Sequence, residues 1–508
     1  MSIAKNKKIK NKKAIVIGAG FGGLAIAIRL QAMGFNTEIY EKNARVGGHA
    51  SQIKKKGYTF DLGPSIITLP VLFEELFKLN NEDYRKYLDI NLLDPFYRIY
   101  FHDKSFIDYS GNEAKMISQI EKFNKKDAQN YLRFMKYSKD LYDVVIKEGL
   151  GAKPFLSWID FLHFIPKALK LKIFIPSYYM VLRYFKDFRI RFLFSFHSLF
   201  IGGSPFTSPS IFLMLPYLEK EGGVWFCTGG MYKVIQELEK LFIRMGGKIY
   251  TNSEVSKINI KDGKIYSINV NNNESICDLV VSNSHYANTY LDLIDKVDRP
   301  FNTDKRVLNK NYSMSSFLLY IGVKKKYKNL KHHTLILSER YKGLVDDIFK
   351  NKILPNDFSL YLHAPSISDP SLAPKESESI YILSPVANLE AGIDWNIEKD
   401  IYADKIIDFL EKDFGLKELR KNIEVKEIFT PVDFKNIRNN YLGAAWSLQP
   451  LLFQTANFRP HNKSEDIENL YLVGASTHPG GGVPGVILSA KVTEKIIQKD
   501  YGLYDSDI

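Results

Sequence analysis

Ala14-Ile15-Val16-Ile17-Gly18-Ala19-Gly20-Phe21-Gly22-Gly23, near the start of the 508-residue chain, decides the fold. Residues 14–17 are apolar and mostly β-branched, as in a strand buried on both faces. Gly18, Gly20 and Gly23 then give the spacing G-x-G-x-x-G. The first glycine permits a tight turn, the second lets the backbone approach a pyrophosphate, and the third lets helix pack on strand. Residues 24–33 read as the helix, stopped by Gly34, and its N-terminus offers unpaired N–H groups to phosphate oxygens. A second strand over 36–40 ends at Glu41, 18 positions after Gly23 and placed to accept hydrogen bonds from a ribose hydroxyl pair. Strand, glycine turn, helix and acid together define a dinucleotide-binding unit.

Two further stretches choose the dinucleotide. Arg45, Gly47, Gly48 and His49 form a second glycine pair with a cation beside it. Far downstream, residues 469–474 read as a strand running into Gly474. A glycine loop over 475–485 and an apolar helix over 486–497 follow. A large flavin held at both ends needs such a return, with one helix N-terminus at the pyrophosphate and another facing the ring, where negative charge develops on reduction. FAD is therefore the expected cofactor.

The chain is long enough for two or three domains around a sizeable core. Its 45% hydrophobic and 25% charged residues describe a folded protein rather than a disordered one. The net charge of +13 is appreciable, and the six lysines in the first 13 residues read as a solvated tail by default or as a contact for anionic lipid or nucleic acid. No nucleic-acid module is present, so a membrane surface is expected and nucleic acid is not. Cys227 and Cys277 stand far apart, which argues for a reducing compartment and against disulfide redox or a cysteine metal site. With a first strand at residue 14 and no long apolar run, neither a signal peptide nor a spanning helix is expected. The apolar region 155–200 is cut repeatedly by charged residues. Its apolar residues (Phe155, Trp158, Phe161, Phe164, Ile173, Phe174, Tyr178, Tyr179 and Met180) and cations (Lys167, Lys170, Lys172, Arg183, Lys186) fit an interfacial helix, or else a cap that packs its aromatics on the protein's own core. A cytoplasmic, peripheral-membrane protein is the expectation.

Along the chain, residues 57–61 read as a strand before a turn at 63–65. A helical pattern runs over 125–148, and proline-broken helical patches extend to about 218. Gly229 and Gly230 open an amphipathic helix ended by Gly246 and Gly247, and a hairpin turns at Asp262 and Gly263. Strands at 277–282, 317–323 and 381–383 and a helix at 400–414 follow. No nucleophile elbow, HExxH, P-loop or His/Asp metal cluster is present, and His332, His333 and His461 read as isolated. His478, in the glycine loop, reads either as a loop donor or as a group near the flavin. The cofactor must carry the reaction.

The sequence resembles the bacterial-type phytoene desaturases over nearly its whole length. The resemblance rests on the first glycine motif, Phe60-Asp61-Leu62-Gly63-Pro64, Phe196-His197-Ser198-Leu199 with Gly202 and Gly203, and Gly223-Val224-Trp225-Phe226 with Gly229 and Gly230. It continues in residues 358–365, Ser371-Leu372-Ala373-Pro374, Phe458-Arg459-Pro460-His461-Asn462 and residues 470–480. It implies an α/β fold: a Rossmann-like FAD-binding domain of the glutathione-reductase/amine-oxidase type, a mixed-sheet substrate domain and a helical cap. The FAD domain is expected from 14–75, 220–290 and 466–500, the substrate domain from 76–124 and 291–465, and the cap from 125–219. The implied reaction is stepwise dehydrogenation of phytoene and partly desaturated carotenes to lycopene, with hydride passing to FAD. Reoxidation by oxygen or a quinone, a channel fed from the membrane, and an allowed homo-oligomer complete the expectation.

The expected cofactor residues are Gly18, Ala19, Gly20, Phe21, Gly22, Gly23, Glu41, Lys42, Gly48, His49, Gly63, Pro64, Ser65, Ile66, Val255, Asn283, Gly474, Ala475, Gly482, Val483 and Val486, with no metal. Two positions depart from the family. His49 stands where an arginine is usual, and His163 stands where the resemblance gives Asp160, the proposed acid–base residue, an arginine companion. Three alternatives stay open: a desaturase acting on a C30 chain or a later carotene, an amine oxidase on the same scaffold, and a non-enzymatic prenyl-lipid escort.

Overall fold

A computed structural model describes residues 9, 11–154 and 164–503. Asp160 and His163, with Phe155, Trp158 and Phe161, lie outside them. The first unit is a parallel sheet. Strand β1 (Lys13–Ile17) leads into helix α1 (Phe21–Met33), then β2 (Asn36–Tyr40). Helix α2 (Met231–Arg244), β3 (Lys248–Tyr250), β4 (Leu279–Ser282), β5 (Leu470–Leu472) and helix α3 (Val483–Asp500) come from later in the chain. The sheet order is β5-β4-β1-β2-β3, with β1 at its centre. Ala14 pairs with Leu279 on one side and Thr37 on the other, so every residue of the strand is locked in register. Both faces are covered, which explains the unbroken apolar run of β1.

Helix α1 packs against α2 and α3 through Leu24, Ile28, Leu238, Leu241, Ile487 and Ile496, all buried. Gly34 ends α1 in the left-handed region at φ 103°. Its predicted start was three residues late. The expected hairpin is present as Val255–Lys261 and Lys264–Val270, extended by Asn273–Ile276 into a three-stranded antiparallel sheet.

The second unit is a seven-stranded sheet, ordered Ile423–Phe429, Ser315–Val323, Glu378–Val386, Leu360–His363, His333–Ile336, Tyr97–Tyr100 and Phe106–Tyr109. It is antiparallel except where His333–Ile336 runs parallel to Tyr97–Tyr100. Strand Ser315–Val323 is buried throughout because its alternating faces meet different partners. Phe317, Leu319 and Ile321 pack on helix Trp395–Lys412, whereas Leu318 and Tyr320 face the other core.

The stretch 164–200 of the cap departs from the expected interfacial helix. It is a set of short helices, Ile165–Lys170, Ser177–Val181, Phe188–Ser195 and His197–Phe200. Pro176 precedes the second, and the Asp187 carboxylate caps the third by accepting from Arg189 N. Met180, Phe185 and Phe194 turn inward, and the rings of Phe185 and Phe194 stack at 5.1 Å. Among the described residues no helix is long and apolar enough to cross a membrane.

Candidate cofactor and substrate site

The glycine turn is built by backbone contacts. An added Cβ at Gly23 would lie 2.0 Å from the Gly18 carbonyl oxygen, so only glycine lets α1 pack so closely on the turn. Gly47 N–H donates to Ala19 O at 2.8 Å and lays the second glycine pair on the first. Asn283 wedges between the first glycine turn and Gly474. A Cβ at Gly22 would meet its Oδ1 at 2.6 Å, and its amide donates to Gly18 O at 3.4 Å.

Glu41 is buried at the end of β2. Its Oε2 accepts from Ala19 N at 2.8 Å, and its Oε1 accepts from the backbone and side-chain amides of Asn43 at 2.9 and 2.8 Å. The carboxylate therefore fixes the turn and still has lone pairs for a sugar hydroxyl pair.

One cavity of about 890 Å³ runs past these residues. Every expected cofactor residue lines it except Ala19 and Gly23, which shape the turn from behind. Helices α1 and α3 both begin at its wall, with N-caps Gly20 and Gly482, and neither has a side-chain cap. Their first N–H groups are left for a ligand. A Cβ at Gly482 would point into open space, so the backbone here is bare toward the cavity. Two uncapped positive helix ends on one elongated cavity fit a dinucleotide with a negative centre and an electron-accepting ring.

The motif residues downstream set this geometry. Arg459, buried, donates to the carbonyls of Thr477, Gln454 and Ala475 at 3.0, 3.3 and 2.6 Å, and so holds the glycine loop before α3. Asn462 donates to His478 O and Ser489 Oγ from beneath the same loop, at 3.2 and 3.0 Å. His478 lines the cavity with Nε2 against Leu150 O at 3.2 Å, and burial lowers its pKa to about 4. Asp61 joins two other motifs: its carboxylate accepts from Met231 N at 2.7 Å and Tyr232 N at 3.3 Å, capping α2 from a distant strand. Burial raises its pKa to about 6 despite those donors. A Cβ at Gly230 would collide with this carboxylate at 2.7 Å.

His49 is also neutral. Burial, then the charge of Arg438, lowers its pKa to about 4, and its Nε2 lies 3.0 Å from Asn440 Oδ1. Sequence reading missed Arg438 and Asn440, which reach the cavity at the C-terminal end of helix Pro431–Arg438 and just after it.

Beyond the glycine loops the cavity becomes apolar, walled by Leu199, Phe200, Met214, Leu335, Leu337 and Leu383, and it reaches Phe164 and Ile173 in the cap. A buried polar island interrupts this wall. Tyr361 OH sits 2.6 Å from Ser65 Oγ and 2.7 Å from His333 Nδ1. Glu219 accepts from Tyr97 OH at 2.7 Å and lies 3.0 Å from His197 Nε2.

His332 and His333 are not isolated, as the sequence reading had them. The antiparallel register sets His333 opposite His363, and nitrogen atoms of these two rings and of His332 lie within 4.8 Å of one another. Burial lowers the pKa of all three, and Phe226 packs on His332.

The fold and cavity define a flavoprotein oxidoreductase. Comparison with known families agrees: the model for flavin-containing amine oxidoreductases matches residues 21–493, and the chain belongs to that family. It binds FAD. A lycopene-forming phytoene desaturase of Pseudescherichia vulneris is 42% identical, covering 96% of this chain and 99% of that protein. One of Pantoea ananas is 40% identical over the same shares. Among solved structures, an oxidoreductase of Methanosarcina mazei superposes with a TM-score of 0.63 at 19% identity, covering 95% of this chain and all of that one.

Proposed function

We propose that the protein is an FAD-dependent phytoene desaturase that introduces double bonds stepwise and yields lycopene. The observation that carries this reading is the near-complete alignment, at 42% identity, with a lycopene-forming enzyme. The long apolar arm of the cavity supports it, because phytoene offers no polar group for recognition. Bound FAD supplies the two-electron acceptor for hydride. The residues expected to hold it are the glycine turn and α1 N-terminus at the pyrophosphate, Glu41 at the ribose, and the loop before α3 at the ring. A ring held there would meet the apolar part of the lining, where the substrate would bind.

The proton from the neighbouring carbon needs a base. Asp160 is one candidate. Glu219 is another: a buried carboxylate on the apolar stretch of the cavity, held in place by Tyr97 and His197. Oxygen or a quinone is the proposed final acceptor.

The substrate partitions into lipid, so the cap is the proposed contact with the membrane. Leu169, Phe174, Tyr179 and Leu182 are exposed there, beside exposed Lys170, Lys172, Arg183 and Lys186. Lys167 is committed to Glu148. Each cation near an anionic surface contributes about 1 kcal/mol.

The test is to incubate the protein and FAD with phytoene in liposomes containing anionic lipid, then separate the pigments. Lycopene with its partly desaturated precursors is expected. Accumulation of an earlier carotene alone would correct the number of steps, and a colourless extract from flavin-loaded protein would overturn the reading.

A further inference from the structure

Only two cationic side chains line the cavity among the described residues, Lys42 and Arg438. Lys42 is already engaged, its ammonium donating to Asn436 O and to Asn439 Oδ1. Arg438 is different. It is half-buried on the cavity wall, and among the described residues its guanidinium hydrogen-bonds to the Ser51 hydroxyl alone. No carboxylate forms an ion pair with it among the described residues. A guanidinium has five N–H donors in a planar fork, so most of this one is uncommitted. Its guanidinium carbon Cζ lies 5.7 Å from the centroid of the Phe429 ring. Arg438 lines the same cavity as the N-caps Gly20 and Gly482 of the two helices.

Residue 49, by contrast, is disarmed. Asn440 donates through Nδ2 to Ala444 O at 2.7 Å, which turns its Oδ1 toward His49 at 3.0 Å. His49 must then carry its proton on Nε2, and its Nδ1 can only accept. A neutral ring with an acceptor facing outward cannot hold a phosphate oxygen.

We propose that Arg438 is the cationic contact of the cofactor's pyrophosphate, so that the C-terminal end of helix Pro431–Arg438 is a cofactor-binding element. This rests on the FAD reading and names the residue that neutralises the charge. Several features aim this helix end. Thr430 and Asp433 form a capping box that starts the helix, and Asn439 ends it in the left-handed region at φ 53°. Lys42 ties Asn439 to the end of β2.

The experiment titrates flavin-free protein with FAD, ADP and adenosine by calorimetry. ADP carries the pyrophosphate without the flavin, and adenosine carries neither phosphate. Arg438→Gln should weaken FAD and ADP by about ten- to a hundredfold, the range for a lost charge-assisted hydrogen bond, and leave adenosine within about twofold. Circular dichroism checks folding. If the glutamine variant does not fold, Arg438→Lys is scored by the same ratio of ADP to adenosine affinity, which should fall about threefold as the fork is lost. An unchanged ratio in a folded variant overturns the assignment, and so does an equal loss for both ligands. Wild-type protein that binds no FAD overturns the cofactor reading as well, a result separate from an indifferent variant.

Discussion

Replacing Glu41 should separate two duties that one carboxylate performs. In the protein it accepts three hydrogen bonds, from Ala19 N, Asn43 N and Asn43 Nδ2. Glu41→Ala removes all three acceptors. Asn43 is half-buried and can recruit water, but the Ala19 amide is buried inside the glycine turn. Leaving that donor unpaired costs about 1–3 kcal/mol, so the flavin-free variant should unfold earlier by that amount. The sugar contact is additional: FAD affinity should fall by about ten- to a hundredfold beyond the loss in stability. Glu41→Gln divides the effects. Its amide oxygen can still accept from Ala19, so flavin-free stability should stay within about 1 kcal/mol of wild type while FAD affinity falls. Denaturant unfolding of flavin-free protein and flavin fluorescence titration measure the two quantities. An FAD affinity unchanged in both variants would show that Glu41 does not meet the ribose. An unchanged stability in the alanine variant would refute the role assigned to the Ala19 contact.

Asp61 predicts a pH dependence. Its folded pKa of about 6 lies above the unfolded value near 3.8, so the folded state binds more protons between them, and stability should fall as pH rises through that window. The loss should total about 3 kcal/mol. Asp61→Asn should flatten this part of the curve, and an unchanged slope in unfolding midpoints between pH 4 and 7 would count against the buried cap. Glu219→Gln, compared with Asp160→Asn in single-turnover flavin reduction, should slow proton removal by about a hundredfold if Glu219 is the base. Wild-type rates with FAD bound would return the role to Asp160 or to water.

The parts of the fold that were legible depend on neighbours in sequence. The strand–turn–helix could be read because a G-x-G-x-x-G turn states its backbone needs within six residues, and the hairpin because Asp262 and Gly263 sit at positive φ. The cap misled for a physical reason. An aromatic stretch beside cations reads as one continuous face, but the fold breaks it into short helices that bury Met180 and leave Phe174 and Tyr179 exposed. The histidine cluster needed strand register, which sets His363 opposite His333. Arg438 was invisible because nothing local marks it. Its meaning comes from Ser51, Asn440 and His49, brought together only by the fold.

The two uncapped helix ends bear on the lifetime of the protein in the cell. Without flavin, α1 and α3 leave their first N–H groups to solvent on a cavity walled by the first and last segments of the chain. FAD binds only the folded form, so free cofactor at a hundred times its dissociation constant adds about 2.7 kcal/mol of stability. That is roughly a hundredfold fewer excursions to the opened state that proteases recognise. Flavin supply should therefore set how much of this protein persists as well as how much of it is active, with the flavin-free form cleared first when riboflavin is scarce.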